Sequence, residues 1–352
     1  MSSPAVVIKD YWADTADSVA QGLARLNAVL AELDHLPQDI VIISAGEVKL
    51  LLNPLVSEFC QQLVEKTNSH KTKQSLNFIS AACTSFHAAV LDFNQSDSTE
   101  RLVITLELDQ ALQQGCLNSL GIGNDPEQDG LSVINCSGFC LLSKETPDQQ
   151  SLIIEDCTIL SQPIGMMGTQ MLLKQLGDQL KQLPVKSQPI SFDICSLWGK
   201  KLLKGLSSRL CDLQTPDYWL PSIEHDQQHY LSLKPLLELQ QHQQYLHQGN
   251  LFMMTLGGGG RIGCLRLSRG ITNIQMNATS SVSEHKLADD LKEYDQALGN
   301  DVKSDYYQGV KNTLKYPRHQ YRGINNHYFR WSLEPLISNQ HIAINTKSGA
   351  NR

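Results

Sequence analysis

The sequence predicts an α/β protein whose core is built twice over. Three observations carry this. Short, continuously apolar runs have strand length, apolar residues at helical spacing lie between them, and the same order recurs in a second stretch of the chain. The 352 residues leave room for two domains or one large duplicated fold. An apolar fraction of 41% against 18% charged builds a sizeable core and excludes a disordered, collagen-like or coiled-coil chain.

The elements follow in order. Val19, Leu23, Leu26, Val29, Leu30 and Leu33 set a helix over 18–33, and Ile40-Val41-Ile42-Ile43 reads as a buried strand that stops at Ser44-Ala45-Gly46. A second helix covers 51–64. Phe78-Ile79-Ser80 is a brief strand before a helix over 85–93, Leu102 to Leu106 is the next buried strand, and 131–142 reads as a strand or a hairpin. The second half repeats the theme. Strands are expected at 151–159, 190–195, 251–256 and 264–267, with helices at 168–183, 200–210 and 233–246. Strands separated by helices of this length need crossover connections and a largely covered sheet. The chain therefore divides into an N-terminal half, 1–150, a C-terminal half, 151–269, and an appendage, 270–352, where apolar periodicity is weak.

Composition narrows the function. Acidic residues outnumber basic ones 36 to 29, giving a net charge of −7, so the broad basic footprint of a nucleic-acid binder is missing. No apolar run is long enough to span a membrane, and the segment MSSPAVVIKDYWADTADS lacks a leader pattern. Nine cysteines at irregular spacing, with no CxxC pair, fit reduced thiols in a cytoplasmic protein. With no metal cluster, dinucleotide fingerprint or Ser/His/Asp order recognised, no cofactor is expected.

Two segments carry chemistry. In Ile79-Ser80-Ala81-Ala82-Cys83-Thr84-Ser85-Phe86-His87 a strand runs through small residues into a cysteine and then a helix. Cys83 thus sits in a tight turn at a helix N-terminus, where orphan amides favour a thiolate and can hold an oxyanion. The bland alternative is a buried, inert thiol. In the other half, the strand 251–256 leads into Gly257-Gly258-Gly259-Gly260 and a further strand. Four glycines are costly to order. The run is no P-loop, because no GK[ST] follows and a strand comes next. It is either a flexible hairpin or a loop whose amides reach a reacting carbonyl oxygen.

Together these segments resemble the thiolase superfamily, and within it the β-ketoacyl synthase III branch of condensing enzymes. SAACTSFHAAVLDF is similar to that branch's nucleophile elbow, LVITLELDQAL to the strand that follows and ends in a glutamate, here Glu107, and LQQHQQYLHQGNLFMMTLGGGGRIGCLRLSR to its closing helix, strand and glycine loop. The resemblance covers about residues 39–269. It implies a duplicated, five-layered αβαβα fold and a dimer. Its substrates would be acyl thioesters of acyl carrier protein or coenzyme A, with Cys83 as nucleophile and an oxyanion hole from the amides of Cys83 and of Gly258 or Gly259.

The departures are specific. The branch places a histidine where this chain has Phe192-Asp193-Ile194-Cys195-Ser196-Leu197-Trp198, and an asparagine where it has Glu224-His225-Asp226-Gln227-Gln228-His229. Its Asp-Gly-Ala-Gly turn reads Asn135-Cys136-Ser137-Gly138. Decarboxylative condensation needs neutral donors to stabilise an enolate, and Asp226 there would repel the anion. Simple acyl transfer needs only a nucleophile, a base and an oxyanion hole. His225 and His229 are the candidate bases, with Asp226 as an orienting group; both histidines read equally well as solvated loop residues. His87, on the helix of Cys83, is expected to point away from it.

Two functions follow. One is an acyltransferase or atypical ketosynthase III-like enzyme, loading an acyl group on Cys83 in fatty-acid or polyketide-type biosynthesis. The other is a catalytically reduced partner of chain-length-factor type that shapes or stabilises an active subunit; the dimer is either a homodimer or a heterodimer with a ketosynthase-like subunit. In the appendage, the basic and aromatic stretch from Lys315 through Arg322 to Arg330-Trp331 is expected to pack its aromatics on the core and keep its charges in water. Alternatives are a dock for an acidic carrier protein and RNA stacking.

Overall fold

A computed structural model describes residues 5–46, 50–51, 53–68, 75–119, 132–148, 150–162, 166–182, 190–192, 219–220, 223, 228–247, 250–257, 261–270 and 329–333. Its strands are β1 (Ala5–Thr15), β2 (Asp39–Ile43), β3 (Ser75–Ser80), β4 (Glu100–Glu107), β5 (Ser132–Val133), β6 (Cys136–Glu145) and β7 (Leu152–Ser161), then β8 (Ile190–Phe192), β9 (Trp219–Leu220), β10 (Gln228–His229), β11 (Leu251–Gly257), β12 (Arg261–Arg269) and β13 (Phe329–Ser332). The helices are α1 (Val19–Leu30), α2 (Pro54–Asn68), α3 (Ser85–Gln95), α4 (Gln110–Ser119), α5 (Met166–Gln182) and α6 (Lys234–His242).

Eleven of these strands form one sheet in the order β13-β3-β2-β4-β6-β1-β7-β12-β11-β8-β9. The duplication is visible in that order. Outward from the β1–β7 seam, one side runs β1-β6-β4-β2-β3 and the other β7-β12-β11-β8-β9. On both sides the first three strands are antiparallel and the outer three parallel. The seam is a short antiparallel contact, Val6 to Ile154 and Ile8 to Leu152.

Period-two alternation sorts the side chains into layers. Ile40 and Ile42 of β2, Leu102 and Ile104 of β4 and Phe78 of β3 join the cluster lined by α1 and α2. Val41, Ile43, Val103 and Ile79 turn instead to the cluster shared with α3, α6 and the second half's strands. Helix α3 touches β2, β3 and β4 of its own half and β7 and β12 of the other, while α6 touches β1 and β11 and α5 lies on β7. The result is the layered, duplicated α/β arrangement expected above. A helix held between the two halves of the sheet has little face for water, and Ser85 through Val90, Asp92 and Phe93 are all buried.

Three expectations need correction. β1 has no counterpart in the sequence reading, because Lys9-Asp10 interrupts its apolar pattern; a register slip between Ile8 and Asp10 absorbs the extra residue. The 131–142 segment is not a hairpin: β5 pairs in parallel with β10, and only β6 joins the main sheet. The appendage is part of the core at one place. β13 pairs antiparallel along β3, and Leu333 is buried in the α1–α2 cluster. Phe329 and Trp331 supply strand-forming residues that cover an otherwise open sheet edge. The helix expected at 200–210 and the stretch 315–322 lie outside the described residues.

One buried charge cluster ties the first half together. Arg101, wholly buried on β4, donates through Nε to Asp39 at 2.8 Å, and through Nη1 to Asp92 of α3 at 2.8 Å and to the Ala89 carbonyl at 3.1 Å. Arg101→Ala strands two carboxylates and is expected to cost about 3–5 kcal/mol. Urea denaturation checks this, and a loss under about 1 kcal/mol, the range of an exposed pair, would contradict it.

Candidate active site

The site begins where β3 ends. Ala82 takes a left-handed conformation, φ 51°, so the chain reverses sharply between the strand and α3. Short local bonds fix the turn. Thr84 Oγ1 donates to the Ala81 carbonyl at 2.6 Å, and Ser85 Oγ accepts from the Ala81 amide at 2.8 Å while donating to the Ala82 carbonyl at 2.6 Å. Because Thr84 bonds backward, no side chain caps α3. Cys83 thus sits in the turn at an uncapped helix N-terminus, as the spacing predicted.

The second half brings a base to it. His229, 146 residues later, faces the sulfur with Cys83 Sγ to His229 Nε2 at 3.3 Å. In the neutral pair the thiol donates to Nε2; in the ion pair Nε2–H donates to the thiolate. Backbone pairing sets the imidazole there: His229 lies in register with Val133, and the Ile134 amide donates to the His229 carbonyl at 3.3 Å. Val133, Leu231 and Ala45 pack around the sulfur. Cys83 is 5% exposed and His229 3%, so the pair is nearly closed from water.

Of the other predicted residues, His225, Asp226, Gly258, Gly259 and the 193–198 stretch lie outside the described residues. Gly257, the first of the four glycines, packs on Thr84, where an added Cβ would stand 2.8 Å from Thr84 Cγ2. The glycine run therefore starts beside the cysteine turn. His87 does point elsewhere: its ring covers Gly263 of β12, where a Cβ would lie 2.6 Å from it. Burial pushes the His87 imidazole down to about 3, so it stays neutral.

Four of the other described thiols are disfavoured as thiolates. Burial pushes Cys60 up to about 12 and raises Cys140, Cys157 and Cys264 well above an ordinary thiol, which suppresses their thiolates near neutral pH.

A carboxylate lies behind the pair. Glu107 ends β4, wholly buried, and takes four donors. Oε1 accepts from the Ala45 amide at 2.8 Å, from the Ser232 amide at 3.2 Å and from Ser232 Oγ; Oε2 accepts from Ser44 Oγ at 3.0 Å. Burial nonetheless pushes its carboxyl up to about 7, against the pull of those bonds. Sequence reading placed Glu107 at the strand end and missed Ser44 and Ser232. The available signal was a lone acid terminating an apolar run.

No family model and no curated protein matches the chain. Solved structures do. The chain is similar to 3-oxoacyl-(acyl carrier protein) synthase III of Pseudomonas aeruginosa, at 12% identity over 77% of this chain and 100% of that one, TM-score 0.45. The enzyme of the same name from Aquifex aeolicus matches at 14% identity over 76% and 98%, TM-score 0.47. The ishigamide ketosynthase/chain length factor matches at 11% over 77% and 100%, TM-score 0.49. At these identities the likeness is one of fold alone.

Two outcomes test the geometry. Gly257→Ala is expected to cost about 1–3 kcal/mol by overpacking, and Thr84→Ser, which removes the opposed methyl, to recover most of it in urea denaturation. For Glu107, the raised value means the folded state binds a proton more tightly than the unfolded chain. Stability from this group is therefore greatest below 4.5 and is lost as pH rises to about 7, by at most about 3 kcal/mol at about 1.4 kcal/mol per pH unit. Unfolding free energies between pH 4.5 and 8 check the sign, the downward slope being absent from Glu107→Gln.

Proposed function

We propose that this chain is an acyltransferase or atypical condensing enzyme that takes an acyl thioester, carried by acyl carrier protein or coenzyme A, onto Cys83. The observation that carries the reading is the 3.3 Å approach of His229 Nε2 to Cys83 Sγ. A buried thiol paired with an imidazole at a helix N-terminus is an activated nucleophile rather than packing.

Neutral His229 accepts the thiol proton at Nε2 as the sulfur adds to the thioester carbonyl. The carbonyl oxygen gains the negative charge, and the Cys83 amide together with the glycine run starting at Gly257 are the candidate donors for it. The intermediate collapses by breaking the bond to the carrier's sulfur. That thiolate takes the proton back from His229 and leaves as a free thiol, with Cys83 acylated. An acceptor nucleophile then repeats the two steps in reverse. Transfer of this kind needs one base, and His229 supplies it. Enolate stabilisation asks for a further neutral donor, so transfer is the simpler fit.

Near-closure of the pair from water favours a second reading. A site this covered suits a partner subunit that shapes a neighbouring ketosynthase rather than turning over itself.

Incubation with acetyl-, malonyl- and longer acyl-coenzyme A, followed by peptide mass spectrometry, separates the two. The enzyme reading expects one acyl adduct on Cys83, absent from Cys83→Ala. In His229→Ala the adduct forms about 10²–10⁴-fold more slowly, the usual worth of a positioned base. Absence of any adduct with coenzyme A and carrier-protein thioesters alike would favour the partner.

A further inference from the structure

Two turns from different halves must stay in register for Cys83 to meet His229, and both are intrinsically strained. On the cysteine side, Ala82 sits at φ 51°. On the histidine side, Leu231 also sits at φ 51°, a costly conformation for a large side chain, at the first residue of a 3-10 turn, Leu231–Leu233. Such backbone persists only where surrounding bonds over-determine it.

Those bonds meet on one group. Ser232, three residues beyond His229, gives both its amide and its hydroxyl to Glu107 Oε1. Leu233, next in the turn, fills the space that Gly138 leaves open, where an added Cβ would stand 2.6 Å from Leu233 Cδ1. The other carboxylate oxygen receives Ser44 Oγ, and the Ala45 amide joins Oε1. Ala45 packs against the small apolar cluster that contains Cys83, and the Ser44 carbonyl accepts a longer bond, 3.3 Å, from Ser85 Oγ in the first turn of α3. Ser44 Oγ itself is used up: it donates to Glu107 and accepts from the Gly46 amide at 3.1 Å and from Gln113 Nε2 at 3.0 Å. Four donors pointing inward suit the ionised carboxylate, which only accepts. An amide in its place presents hydrogens to one side of that ring of donors.

We propose that Glu107 is the positioning residue of this site, its carboxylate holding the Cys83 turn and the His229 turn in register. The inference rests on Cys83 and His229 being the reactive pair, and it adds what holds them together. Glu107 touches no reacting atom; it acts through Ser232 and Ser44.

The test reads the pair directly, without an acyl substrate. Cys83 of the full chain is alkylated with iodoacetamide from pH 5.5 to 9.5 and followed by peptide mass spectrometry. The comparison set is wild type, Glu107→Gln, Ser232→Ala and His229→Ala. An imidazole-activated thiolate reacts on the acid side of an ordinary thiol, whose midpoint lies at about 8.5. Wild type is expected to show that acid-side limb and His229→Ala to lose it. Glu107→Gln and Ser232→Ala, folded by circular dichroism, are expected to move toward the ordinary thiol profile and to slow about tenfold at pH 7.5, where the Glu107 carboxyl, held at about 7, is mostly ionised. A merely structural loss lowers the melting temperature and leaves the profile alone. Wild-type profiles in both folded variants overturn the proposal, as does a wild-type profile that coincides with that of His229→Ala. Where Glu107→Gln does not fold, Ser232→Ala decides, since it leaves Ser44 and Ala45 on the carboxylate. An acid-side limb without any acyl adduct sinks the acyltransferase reading and leaves this one standing.

Discussion

A helix whose first two turns are buried on every side is the constraint on which the rest of this structure depends. α3 lies between the strands of both halves, and its residues from Ser85 to Val90 must fit backbone or side chains all round, only Asn94 and Gln95 at its end being exposed. Ala88 and Ala89 are small enough for close approach, and two glycines of the second half receive what is not small. Gly257 takes Thr84, and Gly263 takes His87. Such an enclosed helix does not shift without repacking both sheets, because interiors at this density transmit displacement rather than absorb it. Its first turn is therefore a fixed point, and Cys83 stands just before it.

Fixing the cysteine would achieve little were the imidazole loose. His229 arrives on a two-residue strand that is short by any standard and pairs, among the described residues, with β5. The rigidity is supplied from behind, by the buried Glu107 carboxylate and the turn that follows His229. A buried carboxylate is expensive unless its oxygens are satisfied, and here four donors from two segments, 44–45 and Ser232, satisfy them. Desolvation and those bonds oppose one another, which is why its proton affinity is raised without the group being lost to the ordinary range of a buried acid.

The same logic separates this polar cluster from the other buried one. Arg101 with Asp39 and Asp92 joins β4, β2 and α3 at the far end of the same strands, away from the sulfur. It secures the half-sheet against the central helix. β13, coming from the chain's last stretch, covers the edge strand β3 that leads into the cysteine turn, so the edge nearest the site is not left bare.

What the sequence determined by itself follows from periodicity and from local chemistry. Apolar runs such as Ile40-Val41-Ile42-Ile43 cannot be anything but covered strand. A cysteine between Ala82 and a Thr-Ser helix start can only sit in a turn, and both facts are local to a few residues. Several elements escaped for local reasons as well: Lys9-Asp10 hides β1, the polar residues of 110–119 hide α4, and β9, β10 and β13 are too short to show a period. Tertiary structure alone decided the partners. Nothing near residue 229 distinguishes its histidine from His225, because the choice depends on pairing with Val133, about a hundred residues away in the chain. Nor does Glu107 differ in sequence from any acid at a strand end until Ser44, Ala45 and Ser232 close around it. Loop closure over such separations is invisible to a local pattern, and only the enclosed helix and the folded-back half-sheets bring those residues within hydrogen-bonding distance.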